Sequence, residues 1–258
     1  MRVRRSECRC FRSGSRSKWM RSSPSATDAL FAGAAGFAHR GLHRPGVPEN
    51  SMAAFEAAIE AGAGIECDLR LSRDGFAMVF HDCDLARLCD LPVETETLHA
   101  AALMRLRLGG SDQTIPWLGA LLDRVGGRVP LLLELKARAK CPINLLCEAV
   151  AKTLANYRGA VGVMSFDPRA PCWFARNAPG IPRGLVVGDG IGGLRRWGML
   201  RIAKPDFLAV ETHAALRPWV ARERRRCPIA SWTVRSAEQR VALSDRADAL
   251  IWEADGRP

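Results

Sequence analysis

From residue 37 onward, short apolar runs alternate with stretches of helical period. Residues 37–39, 65–69, 78–80, 131–135, 161–166, 184–187, 207–210, 229–233 and 249–251 read as strands. Helical stretches are predicted at 50–61, 116–125, 145–154, 216–226 and 237–243. In the first of these, Met52, Phe55 and Ile59 recur at helical spacing, Pro48 precedes it, and Asn50 or Ser51 can cap it. The run 131–135 is nearly all leucine, as expected for a parallel strand buried on both faces. Pairing strands with following helices gives about eight βα units, which predicts an α/β protein built as one closed (β/α)8 barrel. No linker or shift in composition divides residues 30–258, so they are expected to form a single domain.

Composition narrows the classes. The 258 residues are 48% hydrophobic and 25% charged, which excludes a largely disordered or fibrous chain. No run of 18 apolar residues exists, so no transmembrane segment is expected. The net charge is +11, but residues 1–23 alone hold +7, leaving only +4 for the rest. Residues 1–25 therefore read as a basic, Ser/Arg-rich disordered tail. Nucleic acid is not an expected partner, because a nucleic-acid-binding domain spreads its charge over the fold. The apolar stretch 26–38 superficially resembles a secretory signal, but Asp28 interrupts it and it runs straight into His39. Nine scattered cysteines lack any Cys-x-x-Cys pair, which argues against a zinc site or a disulfide framework. Free thiols in that number favour a reducing compartment, and a cytoplasmic location is expected.

The polar residues on the strands carry the chemistry. Glu66 and Asp68 are two apart in a strand and share a face. Glu134 lies near the C-terminal end of another apolar strand, with Lys136 two residues on, and His39 and His81 each follow a short strand. In a closed barrel the C-terminal strand ends form the active face, so these side chains are predicted to meet at one rim. Three carboxylates buried together would cost several kcal/mol unless a cation neutralises them. All-oxygen ligands select one hard divalent ion, Mg²⁺ or Ca²⁺, over zinc.

Ordered motifs extend this pattern: His39-Arg40-Gly41, Pro48-Glu49-Asn50-Ser51 with Ala54-Phe55, Glu66-Cys67-Asp68-Leu69, Asp74-Gly75, His81-Asp82, Glu134-Leu135-Lys136, Ser165-Phe166 and Trp232-Thr233-Val234. In this series the chain resembles the glycerophosphodiester phosphodiesterase family over residues 37–253. The resemblance implies a TIM barrel that hydrolyses small-molecule glycerophosphodiesters to sn-glycerol 3-phosphate and an alcohol, with a divalent cation. It implies His39 and His81 as the general acid/base pair and Glu66, Asp68 and Glu134 as metal ligands. Arg40 and Lys136 are implied phosphate contacts, and Trp232 packs against substrate carbons or is ordinary core. It further implies attack by the substrate's own glycerol hydroxyl, followed by opening of the cyclic phosphate by water. A same-barrel alternative is a lysophospholipase D, which would want an apolar collar at the rim. A different class is a non-catalytic barrel that binds anionic lipid or nucleic acid through its basic tail.

Departures from the family pattern are local. Arg235 replaces the common Asn after Trp-Thr-Val and is expected to face solvent, while Glu253 stands for the usual acid after the last strand. The segment leading to Pro116 is short and predicts a small lid. His43 reads as a loop residue, His99 and His213 as surface residues, and Arg222, Arg224, Arg225 and Arg226 as the exposed end of a helix.

Overall fold

The computed structural model describes residues 25–32, 36–136 and 142–258. Most of the expected basic tail, residues 1–24, lies outside them. Eight parallel strands form the barrel: β1 (Phe37–Ala38), β2 (Gly64–Leu71), β3 (Leu131–Leu135), β4 (Val161–Ser165), β5 (Arg183–Val187), β6 (Phe207–Glu211), β7 (Ile229–Val234) and β8 (Ala249–Trp252). Phe37 pairs with Ile251 on one side and Gly64 on the other, so β1 closes the ring. The register between β2 and β3 sets Asp68 beside Glu134.

One of the nine strand-like runs is not a stave. Ala77–Val79 pairs antiparallel with Leu69–Leu71, because only five residues separate the two strands. A link that short supports a hairpin, whereas a parallel pair needs a crossover of a dozen residues or more. The segment beyond it is also larger in structure than a small lid. It contains a two-stranded ladder (Asp84–Leu85 with Leu91–Glu94) and the short helices Ala86–Cys89 and Ala100–Leu103. Met78, Phe80, Leu85, Leu103, Leu108 and Ile115 give this annex a small core of its own.

The crossover helices carry their apolar faces onto the outer barrel wall. Met52–Glu60 starts at Ser51, whose hydroxyl accepts from the Ala54 amide at 3.2 Å. Ile143–Leu154 and Ala237–Leu243 fall where the periodicity puts them. The stretch 216–226 instead divides into Thr212–Ala215 and Pro218–Glu223, because Pro218 suits only the start of a helix. Helices Arg169–Asn177 and Gly193–Ala203 went unread in the sequence, where Pro171 and Gly198 mask them; Pro171 falls in the first turn, where proline is tolerated. Arg222 to Arg226 do lie at a helix end, on the side of the barrel where β7 begins.

Within the apolar stretch 26–38, residues 26–32 and 37–38 form the floor. Ser25 caps helix Ala26–Phe31, and the fully buried Leu30 packs with Phe37, Leu132, Met164 and Phe207 inside the barrel. Phe31 meets Phe207 and Phe37 edge-on at 5.3 and 6.1 Å. Gly162 makes room for this plug, since a Cβ there would sit 2.5 Å from the Leu30 methyl. The opposite, C-terminal end of the strands is left for polar groups.

Candidate active site

β1 ends at Ala38, and the chain turns at once through His39, Arg40 and Gly41. Arg40 has φ +55° and Gly41 φ +77°. A Cβ on Gly41 would meet Ala54 and the Phe55 ring at 2.9 Å, so the turn packs against helix Met52–Glu60 only with glycine there. Asn50, also left-handed at φ +55°, donates its backbone N–H to the Arg40 carbonyl. Two non-glycine residues in this sparsely occupied region are the kind of local strain that gathers where side chains must be aimed.

The turn aims Arg40 at the acids of β2. Its backbone N–H donates to Glu66 Oε2 at 3.1 Å, and its guanidinium meets Asp68 at 3.2 Å and Glu49 at 2.7 Å. Asn50 donates its side-chain amide to Asp68 Oδ2 at 2.9 Å and accepts from the Asp68 amide. Lys136, one residue past β3, sets its ammonium 2.6 Å from Glu134 and 2.9 Å from Asp68 Oδ1. Glu66, Asp68 and Glu134 are all buried, with one oxygen from each within 4.8 Å of the others.

Burial and like charge act on these three acids unequally. Burial, then the neighbouring Asp68 and Glu134 carboxylates, hold the Glu66 carboxyl well above the usual carboxylate range. Burial also raises Glu134, helped by Asp68 and opposed by Lys136. Asp68 goes the other way: burial disfavours its charge, but Lys136, Arg40, His81 and the Asn50 amide outweigh it and hold it low. Lys136, similarly, stays protonated because Asp68 and Glu134 overcome its own burial. Two cations do not fully compensate three buried acids. Asp68 Oδ1 faces Lys136 as an ion pair but lacks a well-aligned hydrogen-bond donor. The donor set is all oxygen, anionic and clustered, which fits a hard divalent cation.

Two imidazoles flank the acids, each backed by a carboxylate. His39 Nδ1 lies 2.7 Å from Glu253 Oε2, which turns Nε2 toward Glu66 at 4.0 Å. His81 Nδ1 lies 2.6 Å from Asp82. Burial lowers the His81 pKa, with Lys136 and Arg40 adding to it against Asp68 and Asp82. Glu253 is held far below the carboxylate range, chiefly by its hydrogen bonds to His39 and His43 and also by Arg235.

A further ring of contacts had no assigned role in the sequence reading. Glu49 bridges Arg40 and Arg87, and Arg87 reaches on to Asp82 at 2.6 Å, so one chain of ion pairs links the two histidine turns. Arg70 donates to the His81 carbonyl at 2.7 Å and to Glu96 at 2.7 Å. Arg70 was readable, since Glu66, Asp68 and Arg70 share one strand face. Arg87 carries no signal in the sequence. His43, read as a plain loop residue, stands 3.6 Å from Glu253, and Arg235 is exposed but paired with Glu253 at 2.5 Å. His99 and His213 are exposed, as expected.

Across the mouth, Trp232 donates its indole N–H to the Ala209 carbonyl at 3.1 Å and meets the half-exposed Phe166 edge-on at 5.4 Å. Ser165 is buried and donates to the Leu135 carbonyl. All eight residues singled out for chemistry therefore lie at the mouth, with Trp232 on the wall opposite the acids.

A closed (β/α)8 barrel that gathers acids, imidazoles and guanidinium groups at the C-terminal ends of its strands places the candidate site at the barrel mouth. The chain belongs to the Glycerophosphoryl diester phosphodiesterase family, whose model matches residues 39–251. It is 33% identical over 141 residues to human Glycerophosphodiester phosphodiesterase 1, covering 51% of this chain and 42% of that protein. A Bacillus subtilis (strain 168) protein, YqiK, is 35% identical over 171 residues, 59% of this chain and 66% of its own. The matched region thus spans less than two thirds of these relatives' length. The glycerophosphodiester phosphodiesterase of Thermotoga maritima superposes with a TM-score of 0.71 at 25% identity, covering 85% of this chain and 94% of that one. An Oleispira antarctica phosphodiesterase solved with the product sn-glycerol-3-phosphate gives 0.75 at 21% identity, covering 86% and 92%.

Proposed function

We propose that this protein hydrolyses glycerophosphodiesters to sn-glycerol 3-phosphate and the headgroup alcohol, using His39 and His81 for proton transfer. The observation that carries the reading is the joint placement of a buried carboxylate triad between two carboxylate-backed imidazoles. Family membership and the product-bound barrel of similar fold support it.

A phosphodiester is already anionic, so nucleophiles approach it poorly until its charge is offset. Arg40 and Lys136 bring fixed positive charge to the mouth for that purpose. Glu66, Asp68 and Glu134 would hold one Mg²⁺ or Ca²⁺, which when bound supplies Lewis-acid charge to the phosphoryl oxygens. His81, kept neutral by burial, is suited to accept the proton of the attacking glycerol hydroxyl. That hydroxyl oxygen then bonds to phosphorus as the bond to the headgroup oxygen breaks. His39, its ring fixed by Glu253, returns a proton to the departing alkoxide. Water attacks the resulting cyclic phosphate in the reverse sense and yields sn-glycerol 3-phosphate. Phe166 and Trp232 offer apolar surface to the glycerol carbons. The cytoplasmic location expected from the scattered cysteines belongs to the same reading.

The test is turnover of glycerophosphocholine and glycerophosphoethanolamine with Mg²⁺ or Ca²⁺, read by glycerol 3-phosphate release. Turnover that EDTA abolishes and metal restores is expected. Absence of turnover, or turnover indifferent to EDTA, would sink the proposal.

A further inference from the structure

The crossover helix Gly193–Ala203 breaks the pattern of its neighbours. Leu194 is 84% exposed and Trp197 61% exposed, although the helix packs against β5 and helix Arg169–Asn177. Leu216, at the top of the next crossover, is 50% exposed. Leu194 and Trp197, three residues apart on one helix, lie side by side, and large apolar side chains exposed together mark an interaction surface more often than chance.

Position and charge identify what meets it. The helix begins six residues after β5 ends, so its first turn stands on the mouth side of the barrel. Leu194 lies in that turn and Trp197 about one turn, roughly 5 Å, further down. Residues 190–204 contain Arg195, Arg196, Arg201 and Lys204 and no acid. Arg196 is spent on the fold, stacked 4.2 Å over the Trp219 ring and donating to the Ile191 carbonyl. Arg195 and Arg201, in contrast, are exposed and meet no acid among the described residues; Arg201 only flanks the Trp197 ring at 5.6 Å. An indole beside a leucine, flanked by two exposed guanidinium groups that meet no acid among the described residues, is complementary to an anionic lipid surface. A symmetric dimer through the same face would press these guanidinium groups against their own copies, which disfavours a second copy as occupant.

We infer that the helix Gly193–Ala203 docks on an anionic bilayer through Leu194, Trp197, Arg195 and Arg201. The inference concerns binding alone and stands apart from the hydrolytic reading.

Full-length protein would be sedimented with vesicles of phosphatidylcholine alone or mixed with phosphatidylglycerol. Binding only to the mixed vesicles is expected, weakened by salt. The pairs Leu194→Asp/Trp197→Glu and Arg195→Glu/Arg201→Glu should each cut partitioning at least about tenfold. Turnover of soluble glycerophosphocholine and the melting temperature should stay at wild-type values. If the first pair fails to fold, Leu194→Ala/Trp197→Ala replaces it. Wild-type protein left in the supernatant would overturn the inference. So would variants that bind like wild type, which would assign lipid binding to the basic residues 1–23. A concentration-dependent dimer lost in the variants, without vesicle binding, would overturn it in favour of a second copy.

Discussion

The two arcs of the barrel mouth are built on opposite principles. The arc β8–β1–β2–β3 carries His39, Arg40, Glu66, Asp68, Glu134, Lys136 and Glu253, each tied to another by an ion pair or hydrogen bond. The arc β4–β7 offers Ser165, Phe166 and Trp232, and the acids at and just past its strand ends are spent locally: Asp167 on Arg169, Asp189 on Arg217 and Glu211 on the Asp189 backbone. A buried charge must be paired or it costs several kcal/mol, so the charged arc can exist only as a network. The apolar arc needs no such closure. The difference assigns charge handling to one wall and substrate fit to the other, and each wall makes its own prediction.

The sharpest break comes at the imidazoles. His39→Ala and His81→Ala should each lower kcat about 10²- to 10⁴-fold with far less change in KM, the signature of groups that act on protons in flight. Steady-state kinetics on glycerophosphocholine decides it. Equal loss in binding and rate would move these rings from chemistry to substrate contact. Next in size is the floor, away from both arcs. Leu30→Ala empties a fully buried site and should cost about 2–5 kcal/mol by urea denaturation, with kcat unchanged below the melting range.

That contrast also explains what was readable in advance. The acids and His39 were legible because strand alternation puts Glu66 and Asp68 on one face, and because a barrel gathers strand ends at one rim; His81 arrives by the antiparallel hairpin instead, where the Phe80 amide donates to the Asp68 carbonyl. Leu131–Leu135 was legible from its leucines alone. What escaped depends on long-range pairing. Arg87 matters only because the annex folds back to place it between Glu49 and Asp82. Ala77–Val79 looked like a stave because apolar runs do not reveal their pairing partner; link length does. Helix Gly193–Ala203 was hidden since its outward leucine and tryptophan blur the two-faced pattern that periodicity detects.

Glu253 tests whether the charged arc really behaves as a network. Glu253→Gln keeps the shape but weakens the hold on His39, and a loss in kcat of about 10- to 100-fold is expected, as for other ring-orienting partners. Stability gives a second readout. The carboxyl is held below its ordinary value of 4.5, so it stabilises the fold fully above that value and ceases to as pH falls through its lower folded one. The melting-temperature gap between wild type and Glu253→Gln should therefore be constant near neutrality and close below the carboxylate range. A gap that widened in acid would show that Glu253 is not ionised in the fold.

The apolar arc should respond more weakly and in a different parameter. Removing the edge-on contact by Phe166→Ala, or shrinking Trp232 to Leu, loses about 1 kcal/mol of aromatic packing, roughly a fivefold rise in KM with kcat little altered. A fall in kcat instead would mean that this wall also aligns the phosphate.

Arg235 sits where the arcs meet, and the smallest effect is expected there. It touches Glu253 at 2.5 Å but is 60% exposed, and ion pairs open to solvent contribute about 0.2–1 kcal/mol. Arg235→Gln should change kcat/KM less than about fivefold for every headgroup, because His39 and His43 still hold Glu253. The competing idea is a specificity device, with the guanidinium swinging from Glu253 to an acidic headgroup. Such a swing predicts a selective loss against glycerophosphoserine and glycerophosphoglycerol phosphate, with glycerophosphocholine spared. Equal small losses across all three would leave Arg235 as a solvent-side brace on Glu253, since Glu253 already satisfies the charge that an acidic substrate would have to compete for.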